Sequence, residues 1–166
     1  ADLDNVGFYD LVACGLDITF NQQTIIYRSL GNGNFSLMSH PRPSLSIGSI
    51  DITDYNNDGW KDIAICGYSS LGPPVSYIFK NNGNFNFVDI SAGLRGMYSG
   101  ELSWGDYNHD SLPDLVINGT DGINFRVRFY RNLGSDVFAE ALFTFPGTAG
   151  TIEWIDYNLD GIDAVF

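Results

Sequence analysis

The stretch Asp54-Tyr55-Asn56-Asn57-Asp58-Gly59-Trp60-Lys61-Asp62 decides the reading of this chain, because it returns. It comes back as Asp106-Tyr107-Asn108-His109-Asp110-Ser111-Leu112-Pro113-Asp114 and as Asp156-Tyr157-Asn158-Leu159-Asp160-Gly161-Ile162-Asp163. A weaker copy, Asp2-Leu3-Asp4-Asn5-Val6-Gly7-Phe8-Tyr9-Asp10, opens the chain. The first aspartates of the four copies stand 52, 52 and 50 residues apart. Spacing that regular across a whole chain marks a repeat architecture with a unit of about fifty residues.

The flanks of the loop keep step with it. Before each full copy runs a glycine followed by alternating apolar residues: Gly48, Ile50, Ile52; Gly100, Leu102, Trp104; Gly150, Ile152, Trp154. That period of two predicts a strand with one buried face. After the loops come Leu11-Val-Ala-Cys-Gly15, Ile63-Ala-Ile-Cys-Gly67 and Leu115-Val-Ile-Asn-Gly119, short apolar runs that predict a buried second strand. A third strand carries Tyr27-Arg28, Phe79-Lys80 and Tyr130-Arg131, followed by a turn at Gly31, Gly83 or Gly134. Phe35, Phe87 and Phe138 then begin a fourth strand.

Each unit is thus a four-stranded antiparallel meander with the Asp-rich loop between its first two strands. Repeated radially, such units are the blades of a β-propeller. The predicted fold is all-β, a single run of about three such repeats over residues 1–166, as part of a larger propeller or assembly. Parallel β-helices also repeat with Asp and Gly, but with far shorter units, and a β-sandwich would not recur so evenly.

Oxygen-bearing side chains fall at loop positions 1, 3, 5 and 9: Asp54, Asn56, Asp58, Asp62, and Asp106, Asn108, Asp110, Asp114. Calcium takes six to eight oxygens at roughly 2.3–2.6 Å, and alternate positions of a tightly curled loop turn their oxygens to one centre. The position-7 backbone carbonyl, from Phe8, Trp60, Leu112 or Ile162, adds a ligand on the same logic. Position 6 is glycine in three copies, which allows a positive φ where the loop reverses; Ser111 is expected to strain the third copy. Asp, Asn and Gly are also plain turn formers, but three near-identical copies in register weigh against turn chemistry alone. Magnesium fits less well because it demands a small octahedron and keeps several waters. The end copies read as weaker. In the first, Val6 offers no oxygen beside Asp2, Asp4 and Asp10; in the last, after Asp156, Asn158 and Asp160, Asp163 arrives one residue early.

The pattern Asp-x-Asp/Asn-x-Asp-Gly-x-x-Asp-Leu/Ile, followed by a short apolar strand and Gly, resembles the FG-GAP and VCBS repeats of integrin-like propellers. Trp104-Gly-Asp-Tyr-Asn108 and Tyr130-Arg-Asn132 fit the same repeat. The resemblance covers essentially the whole chain. It implies an extracellular or cell-surface propeller of roughly seven blades, with calcium in the loops of one face and protein or glycan ligands elsewhere. The chain starts inside a loop and stops just inside a second strand, so further sequence, or association through open blade edges, is expected to cover its ends. The segment from Gly150 to Ile155 is the one expected to pair outside its own blade.

Composition agrees with this. A net charge of -12 and a pI near 4.1, with Lys+Arg at 8 against Asp+Glu at 20, repel a phosphate backbone and exclude nucleic acid as a partner. No apolar run reaches the roughly 20 residues of a membrane helix. Cys14 and Cys66 occupy equivalent places and read as free buried thiols. Two glycosylation triplets occur, at Asn34 and Asn118; Asn34 lies in an exposed turn, whereas Asn118 stands where its equivalents are cysteines. His40 and His109 sit in no catalytic or ligand spacing. Trp60, Tyr55, Tyr107 and Tyr157 could stack on sugars, but aromatics at repeat-equivalent places more often pack between blades. The functional expectation is a non-catalytic adhesion, recognition or assembly module. The alternatives are a lectin-like propeller and an accessory part of a polysaccharide-degrading enzyme.

Overall fold

The computed structural model describes residues 1–38, 44–69, 72–142 and 145–155, with the backbone of 164–165. The described residues contain strands and no helix. The first sheet holds β1 (Leu11–Leu16), β2 (Gln22–Ser29) and β3 (Phe35–Met38). The second holds β4 (Ser46–Thr53), β5 (Asp62–Tyr68), β6 (Val75–Asn81) and β7 (Phe87–Asp89), in that order. The third repeats the pattern with β8 (Leu102–Gly105), β9 (Asp114–Thr120), β10 (Phe125–Asn132) and β11 (Phe138–Glu140), while β12 (Phe145–Pro146) pairs with the start of β10. A fourth unit begins with β13 (Trp154–Ile155) and β14 (Ala164–Val165). All these pairings are antiparallel.

The second strand of each blade is its centre. β5 and β9 are buried almost end to end, as a strand covered on both faces by neighbouring blades must be. The cores lie between sheets, not within one. Tyr55, Ala64, Cys66 and Ile78 of the second unit pack with Met97, Leu102, Leu115, Ile117 and Tyr130. On its other face, Ile63, Ile65 and Phe79 pack with Leu3, Ile26 and Leu45. Gly48 lies within β4 and Gly100 just before β8, where an added Cβ would lie 2.0 Å and 2.1 Å from the carbonyl oxygens of Cys66 and Asn118. Only glycine lets the first strand approach the second so closely.

One expected strand is shorter than its periodicity suggests. Only Trp154 and Ile155 of the segment 150–155 are extended, and they pair inside their own unit, with Val165 and Ala164. Ile152 is instead drawn to the preceding blade, where its N–H donates to Glu101 Oε2 at 2.9 Å and its side chain is buried.

Candidate functional site

Each of the three described Asp-rich loops folds around its first aspartate. In the second loop the N–H groups of Asp58 and Gly59 donate to the two carboxylate oxygens of Asp54, at 3.0 and 2.9 Å. In the third, those of Asp110 and Ser111 donate to Asp106 at 3.2 and 2.9 Å; in the first, those of Val6 and Gly7 donate to Asp2 at 3.2 and 2.8 Å. To aim these donors inward the chain takes two left-handed residues per loop. Position 6 has φ of 91° at Gly7, 90° at Gly59 and 68° at Ser111, so the expected strain falls on the serine. Position 4 is left-handed as well, at Asn5 (55°), Asn57 (58°) and His109 (57°). Asn tolerates that conformation better than most residues, a constraint the spacing of carboxylates did not reveal.

The position-9 aspartates behave differently. Asp62 and Asp114 are 0% and 1% exposed and Asp10 is also buried. Each is the first residue of its second strand or directly precedes it, which carries it under the loop. Asp62 accepts from the N–H of Asn81 at 2.8 Å and of Tyr55 at 3.1 Å. Asp10 accepts from Ser29 and Leu3 at 2.9 and 2.8 Å, and Asp114 from Asn132 at 2.8 Å. Burial nevertheless pushes the Asp62 carboxyl up to about 7, with the negative charges of Asp58 and Asp54 adding to it. Asp114 is pushed up to about 6 by burial and by Asp110 and Asp106. Buried carboxylates beside further carboxylates are an arrangement that a cation relieves.

The first loop, one of the two end copies that read as weaker in the sequence, brings its carboxylates closest among the described loops. Oxygens of Asp2, Asp4 and Asp10 lie within 4.8 Å of one another, the one such carboxylate group among the described residues. Asp4 Oδ2 accepts from Arg28 Nε at 2.6 Å, while its Oδ1 is buried without a hydrogen-bond partner. A buried, orphaned carboxylate oxygen on one member of a group of three aspartates fits a hard cation. The difference from the sequence ranking has a physical source: position 3 is Asp4 here but an amide elsewhere. The Asn56 and Asn108 amides instead donate to Asp58 at 2.9 Å and Asp114 at 3.1 Å. Arg131 reaches Asp110 at 3.1 Å in the third loop. Asp156, Asn158, Asp160, Ile162 and Asp163 lie outside the described residues.

Position 7 has a packing role besides its carbonyl. The rings of Phe8 and Trp60 lie over the hairpin glycines Gly31 and Gly83, where an added Cβ would meet them at 2.5 and 3.0 Å, and Leu112 covers Gly134 more loosely. The loop tyrosines join blades. Tyr55 stacks on Trp104 with centroids 6.0 Å apart, and Tyr107 on Trp154 at 6.1 Å, both pairs tilted by only 9°. The Tyr55 hydroxyl donates to Asp136 at 2.6 Å, and Lys80 also pairs with Asp136. These rings are taken up by structure; Tyr157 lies outside the described residues.

Of the two glycosylation triplets, Asn34 is exposed in its turn. Asn118 is corrected: it is 2% exposed, its amide donates to Gly150 O at 3.0 Å, and its Oδ1 accepts from Thr148 N at 3.0 Å. A glycan cannot occupy that interblade position in the folded chain. Cys14 and Cys66 are free thiols, the first half-buried and the second buried; burial pushes Cys66 up to about 12. His109 is an exposed loop residue and His40 lies outside the described residues.

A family model described as FG-GAP-like repeat matches residues 2–65 and again residues 54–117. Each match runs from one Asp-rich loop through the next, the same period that the loops display. Integrin alpha-7 of Mus musculus is 29% identical over 126 residues, covering 68% of this chain and 10% of that protein. Integrin alpha-7 of Rattus norvegicus is 29% identical over the same length, 11% of it being covered. The chain therefore spans about a tenth of the length of these curated relatives.

Proposed function

The chain belongs to the FG-GAP-like repeat family, and from that premise we propose that it is a calcium-binding, non-catalytic propeller segment serving adhesion, recognition or assembly outside the cell. The observation that carries the calcium reading is the first loop, with three carboxylates within 4.8 Å and a buried Asp4 oxygen that has no hydrogen-bond partner. The second and third loops support it by repeating the same backbone curl. In them Asp54, Asn56, Asp58 and Asp62, and Asp106, Asn108, Asp110 and Asp114, would hold the ion together with the carbonyls of Trp60 and Leu112. The first loop would use Asp2, Asp4, Asp10 and the carbonyl of Phe8.

The ion supplies positive charge among carboxylates that otherwise repel one another. The chain's own residues do the rest. Asp54 and Asp106 fix the loop backbone through paired N–H groups, and the buried Asp62 and Asp114 tie the loop to the second and third strands. Bound ion would brace the junction of first and second strands and so the face that the loops form. Integrin alpha-7 supports a recognition role by likeness alone; the partner, protein or glycan, is not specified by any residue described. An extracellular setting would match calcium affinities of roughly 10⁻⁴–10⁻³ M, the range of extracellular modules.

Calorimetric titration of the full chain with calcium and with magnesium tests the proposal. Saturable calcium binding, weaker magnesium binding and loss of a site in Asp4→Asn, Asp58→Asn or Asp110→Asn are expected. A chain that takes up no calcium at millimolar concentration would remove the calcium reading.

A further inference from the structure

The buried position-9 aspartates are joined across blades by one hydrogen-bonded path. Leu3 N donates to Asp10 Oδ2 at 2.8 Å, and Leu3 O accepts from Asn81 Nδ2 at 2.8 Å. Asn81 N donates to Asp62 Oδ1 at 2.8 Å, and Asp62 Oδ2 accepts from Tyr55 N at 3.1 Å. Tyr55 O accepts from Asn132 Nδ2 at 2.8 Å, and Asn132 N donates to Asp114 Oδ1 at 2.8 Å. Every residue on this path is buried. Asn81 and Asn132 thus do the same thing 51 residues apart. Each backbone holds its own blade's carboxylate, and each side chain holds the loop of the blade before.

A second contact repeats at the surface, 52 residues apart. Asn5 Nδ2 donates to Gly59 O at 2.9 Å, and Asn57 Nδ2 donates to Ser111 O at 2.9 Å. The position-4 side chain of one loop therefore grips the reversal of the next. The two contacts run in opposite directions along the chain, so adjacent loops are tied at both their buried and their exposed ends.

We propose that Asn81 and Asn132 are positioning residues that couple neighbouring loops, so that ordering one loop by a calcium ion raises the affinity of the next. The inference rests on the calcium reading above. Fixing a position-9 carboxylate fixes the Asn N–H bonded to it, and the side-chain amide then fixes the carbonyl of residue 3 or 55. The same residue's N–H, on the adjoining peptide, is the one held by the preceding position-9 aspartate. A second ion then meets a loop already ordered and loses less conformational entropy on binding. Hydrogen bonds in such a chain also polarise one another in a low-dielectric interior. Coupling between sites is typically worth about 5–150-fold in affinity.

The test uses Asn81→Ser and Asn132→Ser, because the chain itself carries serine at the equivalent place. There Ser29 Oγ accepts from Gly31 N at 3.3 Å, as Asn81 Oδ1 and Asn132 Oδ1 accept from Gly83 N and Gly134 N. Serine keeps the local turn and cannot span to the blade before. Calcium is titrated into the isotopically labelled full chain, and each loop is read separately from the amide resonances of Gly7, Gly59 and Ser111. In the parent chain, Asp58→Ala is expected to weaken the third loop about fivefold or more. In the Asn132→Ser background, where only the Asn57–Ser111 contact still ties the two loops, the effect on the third loop should be at least severalfold smaller. Equal affinities of the third loop with and without Asp58→Ala in the parent chain would overturn the coupling. Amide exchange of the calcium-free chain separates this failure from failure of the calcium reading. Asn132→Ser is expected to accelerate exchange at Leu3 as well as at Tyr55. Acceleration confined to Tyr55 would overturn the relay even in a chain that bound no calcium.

Discussion

At position 6 of the Asp-rich loop, a single residue type decides how comfortably the chain reverses. Ser111 holds φ at 68°, where Gly7 and Gly59 hold 91° and 90°. A left-handed conformation costs an L-residue roughly 1–2 kcal/mol, whereas glycine loses more chain entropy on folding. Ser111→Gly is therefore expected to stabilise the fold by about 0.5–1 kcal/mol, read as a higher urea midpoint with an unchanged slope. Asp62 and Asp114 set a second residue-scale expectation. Their folded pKa values, about 7 and about 6, lie above the roughly 3.9 of an unfolded aspartate. In chelator the folded chain therefore binds more protons than the unfolded chain between about pH 4 and pH 7. Its stability is fully present near pH 4 and falls as pH rises through 6 and 7. Urea midpoints measured in chelator across that range should decline; a rise would show that these carboxyls are not held protonated.

Elements are joined chiefly by what projects from the loops. Tyr55 stands in the second unit, yet its ring stacks on Trp104 and its hydroxyl donates to Asp136, both of the third. Removing only the hydroxyl, in Tyr55→Phe, should cost about 1.5–3 kcal/mol, the value of a hydrogen bond to a charged group. Truncation in Tyr55→Ala should cost more, about 3–5 kcal/mol as for other large buried rings. Thermal unfolding with site-resolved amide exchange would place the loss at the interface of the second and third blades. The strands themselves were legible from period-two alternation, and β3, β7 and β11 begin at the expected Phe35, Phe87 and Phe138. The segment 150–155 was not. Its alternation predicts a full strand, but Glu101 captures the Ile152 N–H and so competes with strand pairing.

For the whole molecule, the acid excess and the repeated loops give calcium a thermodynamic lever. An ion that binds only the folded chain adds about 2.7 kcal/mol at a hundredfold excess over its Kd. For a chain of this size that is roughly 5–10 °C in Tm for one loop. Calcium is expected to raise Tm by at least that much and excess chelator to reverse it, measured by differential scanning calorimetry. Reducing agent should leave Tm unchanged, since Cys14 and Cys66 are free thiols. An equal Tm with calcium and with chelator would argue that the loops are structural turns only.

The sequence by itself determined the repeat, the strand order within each blade and the residues that line each loop. These depend on local periodicity and on carboxylates at fixed spacings along one short segment. Tertiary structure decided how the blades are joined. In the sequence, Asn81 and Asn132 are asparagines two residues before a hairpin glycine, with ordinary turn chemistry. Their reach to Leu3 and Tyr55, 78 and 77 residues away, exists only once sheets are stacked face to face. The same holds for one of the basic residues of the third strands, Lys80. Arg28, Lys80 and Arg131 occupy matching places, yet they pair with Asp4, Asp136 and Asp110 respectively. A repeat fixes where a side chain starts; Arg28 and Arg131 meet the loop of their own blade, whereas Lys80 meets a carboxylate of the neighbouring one.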